Sequence, residues 1–403
     1  MTDAPNARRG FIKQCGIVSA GLVAGTAAKA EGAPCPPAAT NPPAHNEIPF
    51  YGSHQAGITT PAQKHIYFLV ADLHSDDREK IQEMFQMWTA YSLNLTRGEH
   101  VKPYSKNLYI PPTDTGEADS LNPHNLTLTF GVSPSFFSKL KMEHLRPAEL
   151  ADLPHFPRDQ LQAAYTGGDL CIQACADDPQ VAFHAVRNLV RGARLNLTMR
   201  WSQAGFNSYD SASETPRNLF AFKDGTANFS GENLDKVVWC DGDNWLNGGS
   251  YLIARRIKMF LETWDRTSLG EQHNTFGRYR DSGAPMGQHE EHEPINLALT
   301  DDKGEPAMPE TSHARIAHAT GHNILRRSYS YASGIDDKSQ FDTGLLFISY
   351  QKDPKAFIDI QNAFGNVDKM NEYITHIGSG IFACFPGVKD ENDYLGKTLF
   401  TQN

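Results

Sequence analysis

The chain has 403 residues and a formal net charge of −10 with no long Lys/Arg run, which argues against nucleic acid as its main partner. Apolar residues make up 39% and charged residues 21%, the balance of a soluble globular protein rather than a disordered one. The six cysteines (Cys15, Cys35, Cys171, Cys175, Cys240, Cys384) contain no CxxC pair and no spacing that supplies four zinc ligands, and a disulfide framework belongs to short cysteine-dense chains, so neither is expected.

In chain order, Arg8-Arg9 come first, ahead of a short apolar run from Cys15 to Ala28. The run is too short and too rich in Gly and Ala to span a bilayer. Ala28-Lys29-Ala30 offers small residues for cleavage. Residues 1–30 closely resemble a twin-arginine signal peptide, which implies export of the folded chain, cofactor included, to the periplasm or cell surface. Residues 31–47 are rich in Pro and Ala and read as a linker. No other segment is apolar enough to be an integral membrane span.

Residues 65–73 alternate as a strand, and 76–95 follow with helical periodicity and acids in the first turn. Residues 125–132 form a second strand. CIQAC reads as a buried strand leading into a helix at 180–193, and 195–203 as another strand. Residues 250–266 read as a strand or a strand running into a helix, 344–354 as a strand and 355–364 as a helix. CIQACADDP (171–179) and LFISYQKDP (346–354) are both apolar strands ending in Asp-Pro before a helix, at an offset of 175 residues. This points to an internal duplication, an α+β fold of two ferredoxin-like halves. Residues 267–335 show little periodicity and are rich in His, Gly, Pro and charge, which makes them the place to look for a bound cofactor.

Three features carry chemistry: Asp224 in AFKDGTAN (221–228), His313 in SHARIAHATGH (312–322), and Arg326-Arg327 in ILRRSYSYASG (324–334). Each has an ordinary reading. Asp-Gly is a common turn, a single histidine is more often surface or core than ligand, and an arginine pair is commonly a solvated edge. A haem peroxidase needs an imidazole on the iron, an acid–base group for peroxide and a fixed positive charge, and His313, Asp224 and Arg326 could fill these roles if the fold brings them together.

NLFAFKDGTAN resembles the GxxDG signature of the dye-decolorizing peroxidases. FYGSHQAGI (50–58), GGSYLIARRIKMFLETWDRTSLGEQ (248–272), FGR (276–278), SGAPMG (282–287), ILRRSYSY and DTGLLFISYQKDP match further blocks of that family in the same order. With the Arg-Arg signal, the whole resembles the exported EfeB-type subgroup, haem-dependent peroxidases and proposed deferrochelatases. The resemblance implies a dimeric α+β barrel type of fold, with an N-terminal half at 48–215 and a haem-binding C-terminal half at 216–403. It implies one haem b per chain, with His313 as axial iron ligand, Asp224 as distal acid–base group and Arg326 as distal arginine. Gly225, Thr226 and Ala227 would run along the haem face. Asp368 would accept the other N–H of His313, fixing its tautomer.

The implied reaction reduces hydrogen peroxide while dyes or other bulky reductants give up electrons through surface Tyr or Trp residues. A carboxylate acting as base predicts an acidic pH optimum. The alternatives are release of iron from haem with the porphyrin intact, or haem binding and delivery without catalysis. A homodimer and partners in an iron-uptake system are expected. Two departures stand out. Ala221 replaces the first Gly of GxxDG, and would be strained if the position needs positive φ. His318-Ala319-Thr320 stands where the subgroup tends to have Asn-Pro-Arg, leaving Arg315 or His318 as the cations to replace it. GQHEEHEP (287–294) invites a metal-site reading, but its histidines lack HExxH spacing, and an acidic solvated loop is the simpler expectation.

Overall fold

The computed structural model describes residues 46–211, 214–228 and 232–402. The twin-arginine segment, the linker as far as residue 45, and Cys15 and Cys35 lie outside the described residues. The strands are β1 (His65–Leu73), β2 (Thr127–Val132), β3 (Leu170–Ala176), β4 (Leu197–Phe206), β5 (Ser250–Met259), β6 (Leu325–Arg326), β7 (Tyr329–Ile335), β8 (Phe341–Gln351) and β9 (Ile374–Cys384). The helices are α1 (Arg78–Thr96), α2 (Pro134–Lys139), α3 (Pro179–Ala193), α4 (Glu232–Val238), α5 (Leu261–Trp264), α6 (Leu269–Phe276), α7 (His313–Ala319), α8 (Lys355–Phe364) and α9 (Lys397–Phe400).

Local chemistry sets the helix ends. The Asp77 carboxylate accepts hydrogen bonds from the Glu79 and Lys80 amides and opens α1. Ile81, Met84, Phe85, Trp88 and Leu95 then fall at helical spacing and are all buried. Asp178 caps α3 in the same way, with Pro179 in the first turn. Trp88 Nε1 donates to the Leu189 carbonyl at 2.9 Å, tying α1 to α3.

All strand pairs are antiparallel, in the order β5-β9-β2-β3-β1-β4-β7-β8-β6. A further pairing of β5 with β8 closes the sheet into a barrel. The seams between the two runs of strands are short: Gly131 and Val132 pair with Cys384 and Ala383, and Phe206 pairs with Ser330. Within the barrel lies an aromatic core that includes Phe68, Trp201, Tyr329, Tyr331, Tyr350 and Phe382. A larger core packs α1 and α3 against the outside. The repeated Asp-Pro sites behave alike: Asp178-Pro179 opens α3 after β3, and Asp353-Pro354 precedes α8 after β8.

The helix at 355–364 and the strand at 65–73 stand where periodicity places them. The stretch 267–335, which shows little periodicity, contains α6, α7, β6 and β7. α7 buries only Ile316, so no apolar stripe announces it. β9 has no reading from sequence at all. Its ITHIGSGIFAC is mostly buried on both faces, which removes the alternation, and Gly378 is fixed by a close approach. A Cβ there would sit 2.7 Å from the Tyr165 carbonyl oxygen.

Candidate active site

The segment carrying Asp224 is a tight turn folded on Asn218. The Asn218 amide donates to the Phe222 carbonyl at 2.9 Å, and the Asn218 side-chain oxygen accepts from the Phe220 and Phe222 amides. Phe220 and Phe222 are buried in an aromatic cluster with Trp264 and Tyr373. Phe222 stacks on Phe276 with ring centroids 3.9 Å apart. Burying rings of this size stabilises by roughly 2–3 kcal/mol each, which anchors the turn. Ala221 has φ 67°, so the position does demand the left-handed region that glycine supplies more cheaply. The Arg217 guanidinium holds the Ala221 carbonyl at 2.8 Å in that geometry.

Beyond the turn, the Asp224 amide donates to the Pro216 carbonyl at 2.8 Å. The Asp224 carboxylate pairs with Arg326 at 3.0 Å, both side chains being mostly buried. Gly225 has φ 116°, which favours glycine, and a Cβ there would sit in ordinary contact with Asn228 and Thr215, at 3.7 and 3.8 Å. Asn228 closes the loop onto β6. Its side-chain nitrogen donates to the Arg326 carbonyl at 2.8 Å, and its oxygen accepts from the Arg326 amide at 3.1 Å.

β6 divides the arginine pair. Arg326 faces Asp224, while Arg327 is buried and donates to Thr60, Pro61 and Gln63. Arg278 lies near Arg326. Burial and the Arg326 charge push its pKa down to about 10, so it stays protonated at neutral pH. It donates to the Gly283 and Glu291 carbonyls at 2.7 and 3.1 Å. A second fixed positive charge therefore backs the first.

His313 opens α7, and its ring lies on Phe364 of α8 with centroids 4.2 Å apart. Its Nδ1 is 2.7 Å from Asp368 Oδ2. Asp368 is buried, and its other oxygen accepts from the Met370 amide at 2.8 Å. The carboxylate is thus fixed from one side and holds the imidazole with Nδ1 as donor, which directs the Nε2 lone pair outward. Nε2 has no partner among the described residues. His376 lies nearby, and burial first, then Arg255 and His313, push its pKa down to about 3, which leaves it uncharged at neutral pH.

The remaining sequence features resolve differently. Arg315 is committed to the Leu297 and Met308 carbonyls. His318 is exposed at the end of α7. In GQHEEHEP, His289 and Glu290 are exposed, but Glu291 is largely buried and forms an ion pair with Lys223, the residue before Asp224. No group of three His, Cys, Asp or Glu side chains among the described residues is placed to hold a metal ion. Sequence reasoning assigned no role to Asn228, Lys223 or Arg278, and weighed Glu291 only within the metal-site reading of GQHEEHEP. Asn228 ends the AFKDGTAN stretch, and its Asn identity beside a turn was the available signal.

The family model described as "Dyp-type peroxidase, N-terminal" matches residues 55–207, and "Dyp-type peroxidase, C-terminal" matches residues 215–389. The chain is 37% identical over 412 residues to a deferrochelatase of Shigella flexneri serotype 5b, covering 97% of this chain and 96% of that protein. It is 38% identical over 383 residues to the deferrochelatase of Escherichia coli K12, covering 90% of each. Among solved structures, a DyP-type peroxidase from Streptomyces coelicolor superposes with TM-score 0.83 at 34% identity, covering 88% of this chain and 97% of the other. One from Cellulomonas bogoriensis gives 0.81 at 35%, covering 88% and 98%. The chain belongs to the Dyp-type peroxidase family and is an enzyme of that kind.

Proposed function

We propose that this peroxidase works on one haem b per chain, held through His313. The carrying observation is the pairing of Asp224 with Arg326 at 3.0 Å together with an imidazole whose Nδ1 is 2.7 Å from buried Asp368. The donor set fits haem iron, because an imidazole engaged through Nδ1 leaves Nε2 as a nitrogen donor that could hold the iron. DtpA of Streptomyces lividans, 34% identical with TM-score 0.82 and covering 88% of this chain and 97% of that one, is known as an oxyferrous complex, which supports an iron-based cofactor here. Bound haem supplies the redox iron at which peroxide is reduced.

The residues divide the work. Asp224 accepts a proton from peroxide and returns it to the departing oxygen. Arg326 fixes that carboxylate and stabilises negative charge as it develops, with Arg278 behind it. Gly225, Thr226 and Ala227 would line the haem, as the family resemblance implies. Asp368 keeps the His313 ring oriented and raises its basicity. Reconstituting the chain with haem and recording the visible spectrum before and after peroxide tests the assignment. Loss of the peroxide response in Asp224→Asn and Arg326→Leu, with haem still bound, supports it; an unchanged response overturns it.

A second reading is favoured by the names of the curated relatives, which are deferrochelatases. On that reading the chain releases iron from haem and leaves the porphyrin intact. Metal-free protoporphyrin accumulating with the wild type and not with His313→Ala distinguishes it. Export through the twin-arginine segment to the periplasm, a homodimer and partners in iron uptake complete the proposal. Reading each half as ferredoxin-like is supported by strand order: β4-β1-β3-β2 in one half and β9-β5-β8-β7 in the other follow the same sequence of positions.

A further inference from the structure

Far from the haem residues in sequence, the connection between α1 and β2 carries apolar side chains at its tip. Tyr104 is 68% exposed, Leu108 93%, Tyr109 97% and Ile110 49%. Three consecutive apolar residues in water are costly to solubility unless something uses them.

The feet of this loop are fixed. The Val101 amide donates to Asp114 at 2.9 Å, and buried Asp114 is held by His184 of α3 at 2.7 Å. Thr113 donates to the Pro103 carbonyl at 3.0 Å, closing the neck. Arg191 of α3 donates to the Pro112 carbonyl. The tip is shaped by its own side chains: the Asn107 amide donates to Ser105 Oγ at 3.2 Å, and the Tyr109 amide to Asn107 Oδ1 at 3.0 Å. Pro103, Pro111 and Pro112 restrict it further. The tip is thus presented in a set conformation, which lowers the entropy lost on docking.

Charge selects the partner. Residues 101–113 contain Lys102 and Lys106 and no acid, in a chain whose net charge is −10. An anionic surface is repelled by most of the molecule and attracted here. Lys106 lies at the exposed tip and Lys102 at its foot, where its ammonium is 5.6 Å from the centre of the Tyr91 ring. Exposed tyrosine and leucine beside lysine is the composition that settles at a bilayer interface, with rings at headgroup depth, aliphatic groups below and ammonium groups on lipid phosphates.

We propose that the 102–112 loop docks the enzyme onto an anionic lipid surface, with Leu108, Tyr109 and Ile110 entering the interface and Lys102 and Lys106 contacting headgroup phosphates. This goes beyond the haem reading and does not depend on it.

The test uses the full chain with vesicles of phosphatidylcholine and phosphatidylglycerol in a 3:1 ratio, a composition set by the experimenter to be roughly a quarter anionic. Chymotrypsin cleaves at exposed Tyr and Leu, so cleavage between Tyr104 and Tyr109 reports loop access. These vesicles are expected to slow that cleavage about tenfold, while phosphatidylcholine alone does not. Raising salt from about 0.1 to about 0.5 M restores cleavage. Lys102→Gln/Lys106→Gln abolishes the protection, and Leu108→Ser/Tyr109→Ser lowers vesicle flotation about tenfold, both with unchanged circular dichroism. Equal cleavage with and without anionic vesicles overturns the proposal. So does protection without lipid that grows with protein concentration, which would make the tip a contact between copies of the chain.

Discussion

Asn228 and Arg326 grip each other through two hydrogen bonds, Asn228 donating to the Arg326 carbonyl at 2.8 Å and accepting from its amide at 3.1 Å. The clamp joins the loop of the proposed proton-transfer acid to the strand of the proposed charge stabiliser, so it sets the distance at which Asp224 meets Arg326. Asn228→Ala removes both bonds at once. Misplacement of reacting groups by about 1 Å costs on the order of a hundredfold. The expected result is a fall of about ten- to a hundredfold in kcat/KM for peroxide, with the haem spectrum before peroxide unchanged. Rapid-mixing spectroscopy checks it, and a wild-type rate would show that the clamp is idle.

Asp224 and Arg326 themselves are expected to matter more. Asp224→Asn keeps the size and removes the base, and general acid–base groups contribute about 10²–10⁴-fold. Arg326→Leu removes the charge and is expected to cost about 10²–10³-fold. The two groups share one ion pair, so the double variant should lose far less than the product of the single losses. Stopped-flow rates on all three variants provide the cycle.

Ala221 makes a prediction about stability. At φ 67° an alanine is strained, and glycine at the same place is not. Glycine also gives the unfolded chain more freedom, which offsets part of the gain. Ala221→Gly is expected to stabilise by about 0.5–1 kcal/mol, seen as a higher denaturant midpoint with unchanged slope. A lower midpoint would mean that the turn is relaxed with alanine.

The sequence carried a good deal of this site because its chemistry sits in compact motifs. Asp224 and Arg326 each lie in a short family-like block, His313 lies in a histidine-rich stretch just before the second, and Ala221 and His318-Ala319-Thr320 were visible as the departures from pattern. Residues that act across the chain were hidden. Glu291 reaches Lys223 over a separation of 68 positions, and Asn228 reaches Arg326 over 98. No local period records such pairs. The fold divides the same way. Strands that alternate and helices with an apolar stripe were legible, whereas β9 and α7 were not. β9 is buried on both faces and α7 is short and held by its neighbours, so neither writes a period into the sequence.

Asp368→Asn tests the support of the proposed iron ligand. Asparagine can still accept the Nδ1 hydrogen bond but carries no charge to raise the basicity of the imidazole. Partners of this kind change metal affinity by about 10–100-fold. Faster haem loss to an acceptor protein is expected, by about that factor, while His313→Ala should abolish the histidine-ligated spectrum. Equal haem retention in Asp368→Asn would reduce Asp368 to its second contact, the Met370 amide.

Glu291 gives a pH dependence with a definite sign. Burial pushes its carboxyl up, but the Lys223 ammonium and the Thr215 hydroxyl outweigh burial and hold it below the ordinary glutamate value. A depressed carboxylate contributes stability that is fully present above its unfolded pKa, about 4.3, and is lost as pH falls through the lower folded value. The Lys223–Glu291 pair pins the residue next to Asp224, so the same protonation loosens the acid's loop. The difference in thermal midpoint between wild type and Glu291→Gln should therefore be constant above about pH 5 and shrink steadily below about pH 4. At neutral pH, Glu291→Gln should already slow the peroxide step, because glutamine cannot hold the lysine by charge. A midpoint difference that grows as pH falls would reverse the sign and dismiss the pin.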